Sequence, residues 1–373
     1  MNIFNKNINL EGDRIIWGVV FALSIFSVLV VYSTAGWSFL FNHITRLTLG
    51  LVAMYVVHKI KFKYFSKIGQ VGFWFSLVLL VLVLIIGVTI NGASRWLEIA
   101  GQRFQPSDVA KLTVLIFMAR QISKQRDCLE SLKEIVKYLL LPLCIVCLLI
   151  LPNNFSTSAL VFINGIVMLF IGKIKIKYIA SILLIAFISA IFIYSAAKYP
   201  AFTKLIPRSA TWVSRIDSFI INNDGDKQNK DFQQTQALVA IQSGGLTGLG
   251  PGKSTQRSIL PYSSSDFIFA IILEEYGLFG GVIAMLFYLI LMFRAIRIAL
   301  RIESVFGSLL SVGLMFSLVF QALVNMLVSV EILPVTGQTL PLISMGGTSI
   351  VFTCITIGIV LSVSRDSTDR SYE

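Results

Sequence analysis

Ten apolar runs, each close to the length that crosses a bilayer, constrain this chain more than any other feature. They fall near residues 14–34, 43–58, 70–90, 106–121, 138–151, 157–172, 178–197, 266–293, 306–330 and 346–364. A spanning helix needs roughly 20 mostly apolar residues. Lipid offers no partners to backbone N–H and C=O groups, so only helices or closed barrels satisfy them internally. The runs therefore predict an all-α, polytopic integral membrane protein with about ten transmembrane helices in one membrane domain over 1–373. Composition agrees, with 56% of the 373 residues hydrophobic and 13% charged, where soluble domains carry about a quarter charged. A soluble cytosolic enzyme, a disordered chain and a disulfide-built scaffold are excluded. The first run, from about Ile15, is long enough to stay in the membrane as an anchor.

The net charge of +12 would suggest nucleic acid in a soluble domain, but its distribution points to membrane orientation. Alternate short loops hold Lys59, Lys61, Lys63 and Lys67, then Arg120, Lys124, Arg126, Lys133 and Lys137, then Lys173, Lys175 and Lys177, then Arg294, Arg297 and Arg301. The opposite short loops hold only Arg95 and Arg103. Short cytoplasmic loops are the basic ones, so both termini are expected on the cytoplasmic side of the membrane, with no nucleic-acid partner.

Residues 198–265 break the pattern as one long polar loop, expected to be extracytoplasmic. Such loops are usually functional or disordered. The stretch from Asp231 to Gln242 is compatible with a helix, and a Gly/Ser-rich run follows. Within that run, Gly248-Leu249-Gly250-Pro251-Gly252-Lys253-Ser254 has the look of a phosphate-binding loop. The motif needs a further glycine where Thr247 stands, and a preceding strand, so the glycines are expected to allow a backbone turn at the membrane surface. Cys144 and Cys147 sit inside an apolar run with no redox context, which favours packing. Cys128 lies in a basic loop.

Ionisable groups at membrane depth are costly and are functional candidates by default. The set here is Asp108, Lys111, Asp266, Glu274, Glu275 and Glu331. Asp266 opens the eighth run, either as a helix-start carboxylate favoured by the macrodipole or as a general base in a cavity, where apolar walls push a carboxyl towards neutral pH. Glu274 and Glu275 are expected one and two turns deeper, in structural ion pairs or in a relay. Asp108 and Lys111 follow Pro106 at a spacing that suits a first-turn salt bridge; alternatively Lys111 faces a cavity and meets an anionic head group. Arg95 and Arg103 flank a hairpin from Gly92 to Gln105. Arginine suits bidentate phosphate contacts, and interfacial snorkelling is the alternative. Gly346 and Gly347, with Ser344, precede the last run, where they serve either close helix packing or exposed backbone donors for a diphosphate.

Three ordered motifs carry a resemblance. The first is Arg95-Trp96-Leu97 with Phe104-Gln105-Pro106-Ser107-Asp108 and Lys111-Leu112. The second runs from Gln236 through Ser243-Gly244-Gly245-Leu246, Gly248-Leu249-Gly250, Ser254-Thr255-Gln256 and Leu260-Pro261 to Asp266-Phe267-Ile268-Phe269-Ala270 and Glu274-Glu275-Tyr276-Gly277. The third is Pro334-Val335-Thr336-Gly337 with Leu340-Pro341-Leu342-Ile343-Ser344-Met345-Gly346-Gly347-Thr348-Ser349. With these the chain resembles the SEDS family of bacterial cell-wall proteins (the FtsW/RodA-like proteins of shape, elongation, division and sporulation). It departs at Ser264, where the family often has histidine, at Asp108, where glutamate is frequent, and at Met345, where tyrosine is.

The resemblance implies the SEDS fold and a peptidoglycan glycosyltransferase that polymerises lipid II at the outer face of the cytoplasmic membrane. The run from Gly248 to Asp266 is nearer the division branch than the elongation branch. The resemblance places the essential carboxylate at Asp266, which takes the proton of the acceptor hydroxyl while undecaprenyl diphosphate leaves. Arg95, Arg103, Lys111, Glu274, Glu275, Gln256 and Ser344 are the expected contacts to the diphosphate or sugars. A divalent cation (Mg or Mn) on the diphosphate is compatible with this, although no dedicated ligand cluster is visible. The implied partners are a class B penicillin-binding protein, which supplies the transpeptidase, other division proteins and the bilayer. A lipid II flippase and a non-catalytic division scaffold are the alternatives.

Overall fold

The computed structural model describes residues 11–90, 93–99, 101–126, 129–199, 203, 208–220 and 232–369. Asp231, Gly92 and Cys128, singled out above, lie outside them.

Helix α1 (Arg14–Lys59) takes in the first two apolar runs. Asp13 caps it, accepting from the N–H groups of Ile15 at 2.9 Å and Ile16 at 3.2 Å, and its second oxygen pairs with Arg294. Gly36, with φ 71° and ψ −173°, breaks the helix. Ser27 Oγ and His43 Nε2 lie 2.7 Å apart, whereas 16 residues of straight helix would separate them by roughly 24 Å. The chain therefore turns back at Gly36, and α1 is two antiparallel arms.

Helix α2 (Phe65–Ile86) is followed by a small antiparallel sheet of β1 (Val88–Ile90), β2 (Ala93–Ile99) and β3 (Gln102–Phe104). It pairs Leu97 with Phe104 and Glu98 with Arg103, which is the hairpin expected there. Helix α3 (Pro106–Lys124) starts on its proline with Asp108 in the first turn. A short α4 (Leu132–Ile135) passes through a π turn into α5 (Leu141–Ile150), and α6 (Phe155–Ile171) and α7 (Ile176–Ala196) follow. The long loop contains α8 (Ser209–Ile220) and α9 (Phe232–Gly244), the second where a helix was expected. Helices α10 (Ile268–Arg301), α11 (Val305–Ser329) and α12 (Ser349–Asp369) complete the chain.

By length and apolar character alone, α1, α2, α7, α10, α11 and α12 can cross a membrane. Counting both arms of α1, and with α3, α4–α5 and α6, the elements match the ten apolar runs. The buried centre is formed by α3, α6, α11 and α12, and α1 packs along α12. Helix α7 buries only Ile179 and Ile182 and exposes Leu184, Ile185, Phe187 and Phe192, as a lipid-facing helix should. Among the described cysteines, Cys144, Cys147 and Cys354 are free thiols, consistent with packing.

Helix α10 also breaks, at Gly277 (φ 66°, ψ −169°). The bend brings Leu273 and Phe269 against Gly281, eight and twelve residues on. Such a break strands backbone groups that lipid cannot satisfy, and the Gly-rich run supplies partners. The N–H groups of Leu249 and Gly250 each lie 2.9 Å from the carbonyls of Glu274 and Glu275, while Leu278 N–H reaches Gly245 O at 3.0 Å. A Cβ at Gly248 would lie 2.2 Å from Glu275 O. The glycines thus turn the backbone against a broken helix, not against the membrane surface.

Candidate active site

The residues just before α10 fix the key carboxylate. Tyr262, at φ 59°, offers its carbonyl to the N–H groups of Ser265 (3.0 Å), Asp266 (3.1 Å) and Phe267 (3.3 Å). This tight turn leaves Asp266 one residue ahead of the helix cap at Phe267, with its side chain lining a cavity of about 700 Å³. The cavity is built where the sheet, the starts of α3, α6 and α12, helix α8 and the loop after α11 converge.

Five arginines line it: Arg46 from α1, Arg95 and Arg103 from the sheet, and Arg208 and Arg215 from the long loop. Asp108 and Asp266 are the two acids among its lining residues. Burial raises the Asp266 carboxyl above the usual carboxylate range, against the hydrogen bond from Ser265 and the charges of Arg95 and Arg215. Burial first, then Arg208 and Arg215, lower Arg95 to about 10, with Asp266 opposing. Arg95 therefore remains a cation at neutral pH, and its Nε donates to Asn153 O at 2.8 Å. A chamber with this charge balance suits a polyanionic ligand, and guanidiniums meet phosphates with planar, two-pronged contacts.

Of the sequence candidates, Asp266, Arg95 and Arg103 come together in this cavity. Lys111 does not line it: its Nζ donates to Gln321 Oε1 at 2.7 Å and lies 3.9 Å from Asp108 Oδ1, beside a small adjoining cavity. Asp108 and Gln321 border both spaces.

Glu274, Glu275, Gln256 and Ser344, expected as contacts to the substrate, are not among the residues that line this cavity. Because α10 bends at Gly277, the two glutamates sit beside the break and not progressively deeper along a straight span. The Glu274 carboxylate accepts from Thr255 N at 2.9 Å, Thr255 Oγ1 at 2.8 Å, Gln256 N at 3.2 Å and Ser254 Oγ. It anchors the loop that contains Gln256. Glu275 accepts from Ser33 of α1. Ser344 is buried; it donates to Ser265 O at 2.6 Å and accepts from Leu340 N at 2.8 Å. It supports the Asp266 turn from behind. Glu274→Ala strands four donors, and is expected to destabilise the protein by about 2–4 kcal/mol, read as a lowered unfolding temperature in detergent.

Sequence reasoning missed Arg46, Arg208 and Arg215. Arg46 lies inside the second apolar run, so the rule on intramembrane charges would have found it. The other two are in the long loop, where spacing carries no signal. Gly346 and Gly347 do line the cavity. Among the described residues, no three or more His, Cys, Asp or Glu side chains gather where they could hold a metal. Two carboxylates among five guanidiniums do not fit the all-oxygen cage of a resident divalent cation.

The profile of the FtsW/RodA/SpoVE family of cell cycle proteins matches residues 12–369. The chain belongs to this family. It is 31% identical over 370 residues to a probable peptidoglycan glycosyltransferase FtsW of Geobacter sp. (strain M18), covering 95% of this chain and 97% of the relative. It is 32% identical over 351 residues to the peptidoglycan glycosyltransferase MrdB of Escherichia coli (strain K12), covering 92% and 91%. Among solved structures, a chain from a peptidoglycan synthase complex that coordinates polymerisation and crosslinking superposes with a TM-score of 0.77, at 24% identity and covering 95% and 98%. The rod shape determining protein RodA of Thermus thermophilus gives 0.67 at 24% identity, covering 98% and 99%. As a member of this family the chain is a multi-pass membrane protein, all-α apart from its small sheet.

Proposed function

We propose that this protein polymerises lipid II into glycan strands, with Asp266 as the general base. The observation that carries this reading is the Asp266 carboxylate lining one cavity together with five arginines. Asp266 takes the proton from the acceptor sugar hydroxyl of one lipid II. The freed oxygen bonds to the anomeric carbon of the growing chain, and the bond from that carbon to the diphosphate oxygen breaks. Undecaprenyl diphosphate leaves with the electron pair. The arginines hold the diphosphates and spread the charge on the departing one, the electrostatic role expected of pre-placed donors. Arg95 and Arg215 are near enough to influence Asp266 itself, so base and leaving-group cations share one chamber.

The chemistry is assigned to the outer face of the cytoplasmic membrane. The cavity lies at the ends of the helices opposite the fifteen basic loop residues, and the basic ends stay in the cytoplasm. A class B penicillin-binding protein as transpeptidase partner belongs to the same proposal, and the similar synthase complex, which coordinates polymerisation with crosslinking, supports it. A role in septal synthesis rests on the run from Gly248 to Asp266. Relatives named for FtsW and for MrdB match at 30–32% identity, so overall identity does not separate division from elongation.

A base works only when deprotonated. The folded-state pKa of Asp266 is raised, so activity falls as pH drops through a value above the ordinary 3.9 of aspartate. The test is the rate of glycan formation by purified protein on lipid II across pH. An acid limb above the usual carboxylate range supports the reading. A limb at or below it contradicts the proposed environment.

A further inference from the structure

We infer that Asn325 is the positioning residue of the catalytic carboxylate, acting on the backbone of Asp266; the inference rests on Asp266 being the base. Asn325 lies near the end of α11 and is 1% exposed. Its Nδ2 donates to Asp266 O at 2.7 Å and to Gln338 O at 2.7 Å. Both partners are carbonyls, so only the amide nitrogen can serve them, and the orientation of the side chain is chemically fixed. Its Oδ1 is buried with no partner among the described residues.

The two carbonyls belong to two walls of the cavity. Asp266 ends the Tyr262 turn, and Gln338 belongs to the 335–339 segment that faces it. Between them stands Gly337 at φ 66°, where a Cβ would lie 3.6 Å from Asp266 Oδ2. One amide therefore sets the spacing of the base from the opposite wall. Neighbouring bonds fix the same walls to the bundle. One helical turn earlier, Gln321 Nε2 donates to Thr339 O at 2.9 Å, and Gln338 Nε2 reaches Thr157 Oγ1 at 2.9 Å. Asn325 is distinct because it alone among these binds both the Asp266 backbone and the facing segment. Without it, turn and segment are free to shift, and a displacement of about 1 Å at a reacting group can lower turnover by about 100-fold.

The experiment compares wild type, Asn325→Ala, Asn325→Asp, Asn325→Ser and Asp266→Asn, each purified in detergent with its unfolding temperature checked, in steady-state polymerisation of lipid II across pH. Asn325→Ala and Asn325→Asp should lower kcat by about 10- to 100-fold with KM within about twofold. Asn325→Asp keeps the shape but loses both N–H donors: ionised it offers none, and protonated a single O–H. Serine retains one hydroxyl donor and should fall between alanine and wild type. The acid limb in Asn325→Ala should move to lower pH, because a loosened turn admits water to the Asp266 carboxylate; a purely structural defect would not move it. A wild-type kcat and an unmoved acid limb in Asn325→Ala, with Asp266→Asn inactive, would overturn the inference alone. Full activity in Asp266→Asn would overturn the base assignment first. If the alanine and aspartate variants do not fold, Asn325→Ser decides: wild-type kcat and acid limb refute the role, and intermediate values support it.

Discussion

Replacing Asp266 by asparagine is expected to remove about 10²- to 10⁴-fold of the polymerisation rate, the range for a lost general base, and to leave the protein folded. Asparagine matches the carboxylate in size and keeps an oxygen for the hydrogen bond with Ser265, but it cannot take a proton at any working pH. The loss should fall on kcat. Asp266 faces Arg95 and Arg215, and removing its negative charge from a site for a polyanion does not weaken binding. KM for lipid II should be unchanged or lower, which a kinetic titration with purified protein reads directly. A parallel rise in KM with little change in kcat would make Asp266 a binding group and not the base.

The second large effect is on the fold. Gly248→Ala places a methyl group 2.2 Å from the carbonyl oxygen of Glu275 and 2.6 Å from the nitrogen of Gly277, at φ 82°. Both neighbours are backbone atoms at the broken turn of α10, so neither can yield without freeing the bonds from Leu249 and Gly250 to the Glu274 and Glu275 carbonyls. Left-handed strain adds about 1–2 kcal/mol, and the exposed carbonyls add more, so a total loss of about 3–5 kcal/mol is expected. Gly252 provides the control. Its φ is 77°, but a Cβ there meets nothing within 4 Å, so Gly252→Ala should carry the strain alone. Unfolding temperatures in detergent should drop sharply for the first variant and slightly for the second.

Much of the architecture was legible because hydrophobic run length is a direct consequence of bilayer thickness. The runs marked the spans even where the chain joins two of them, as in α1. The break at Gly36 falls in the gap between the runs 14–34 and 43–58 and was legible as the end of a span, whereas the break at Gly277 was not, since the apolar run 266–293 continues through it. That same bend misled the reading of Glu274 and Glu275. Charges at membrane depth suggested chemistry, yet the broken helix and its glycine loop provide donors that make Glu274 an internal anchor. Asp266 stood out as a carboxylate opening an apolar run and Arg95 and Arg103 as arginines flanking a hairpin, and the fold brings the three to one cavity. Arg208 and Arg215 reach it only through the tertiary course of the long loop, which no local pattern encodes. Asn325 was hidden in an apolar run, as an uncharged side chain whose role depends on two carbonyls far away in sequence.

The most direct test places lipid II in the outward-facing leaflet of proteoliposomes containing the purified protein and its transpeptidase partner, and follows glycan chain length over time. Elongating strands from wild type, with none from a folded Asp266→Asn protein, is the predicted result. Movement of lipid II head groups between leaflets without any polymer, or equal strand growth from both proteins, would contradict the account.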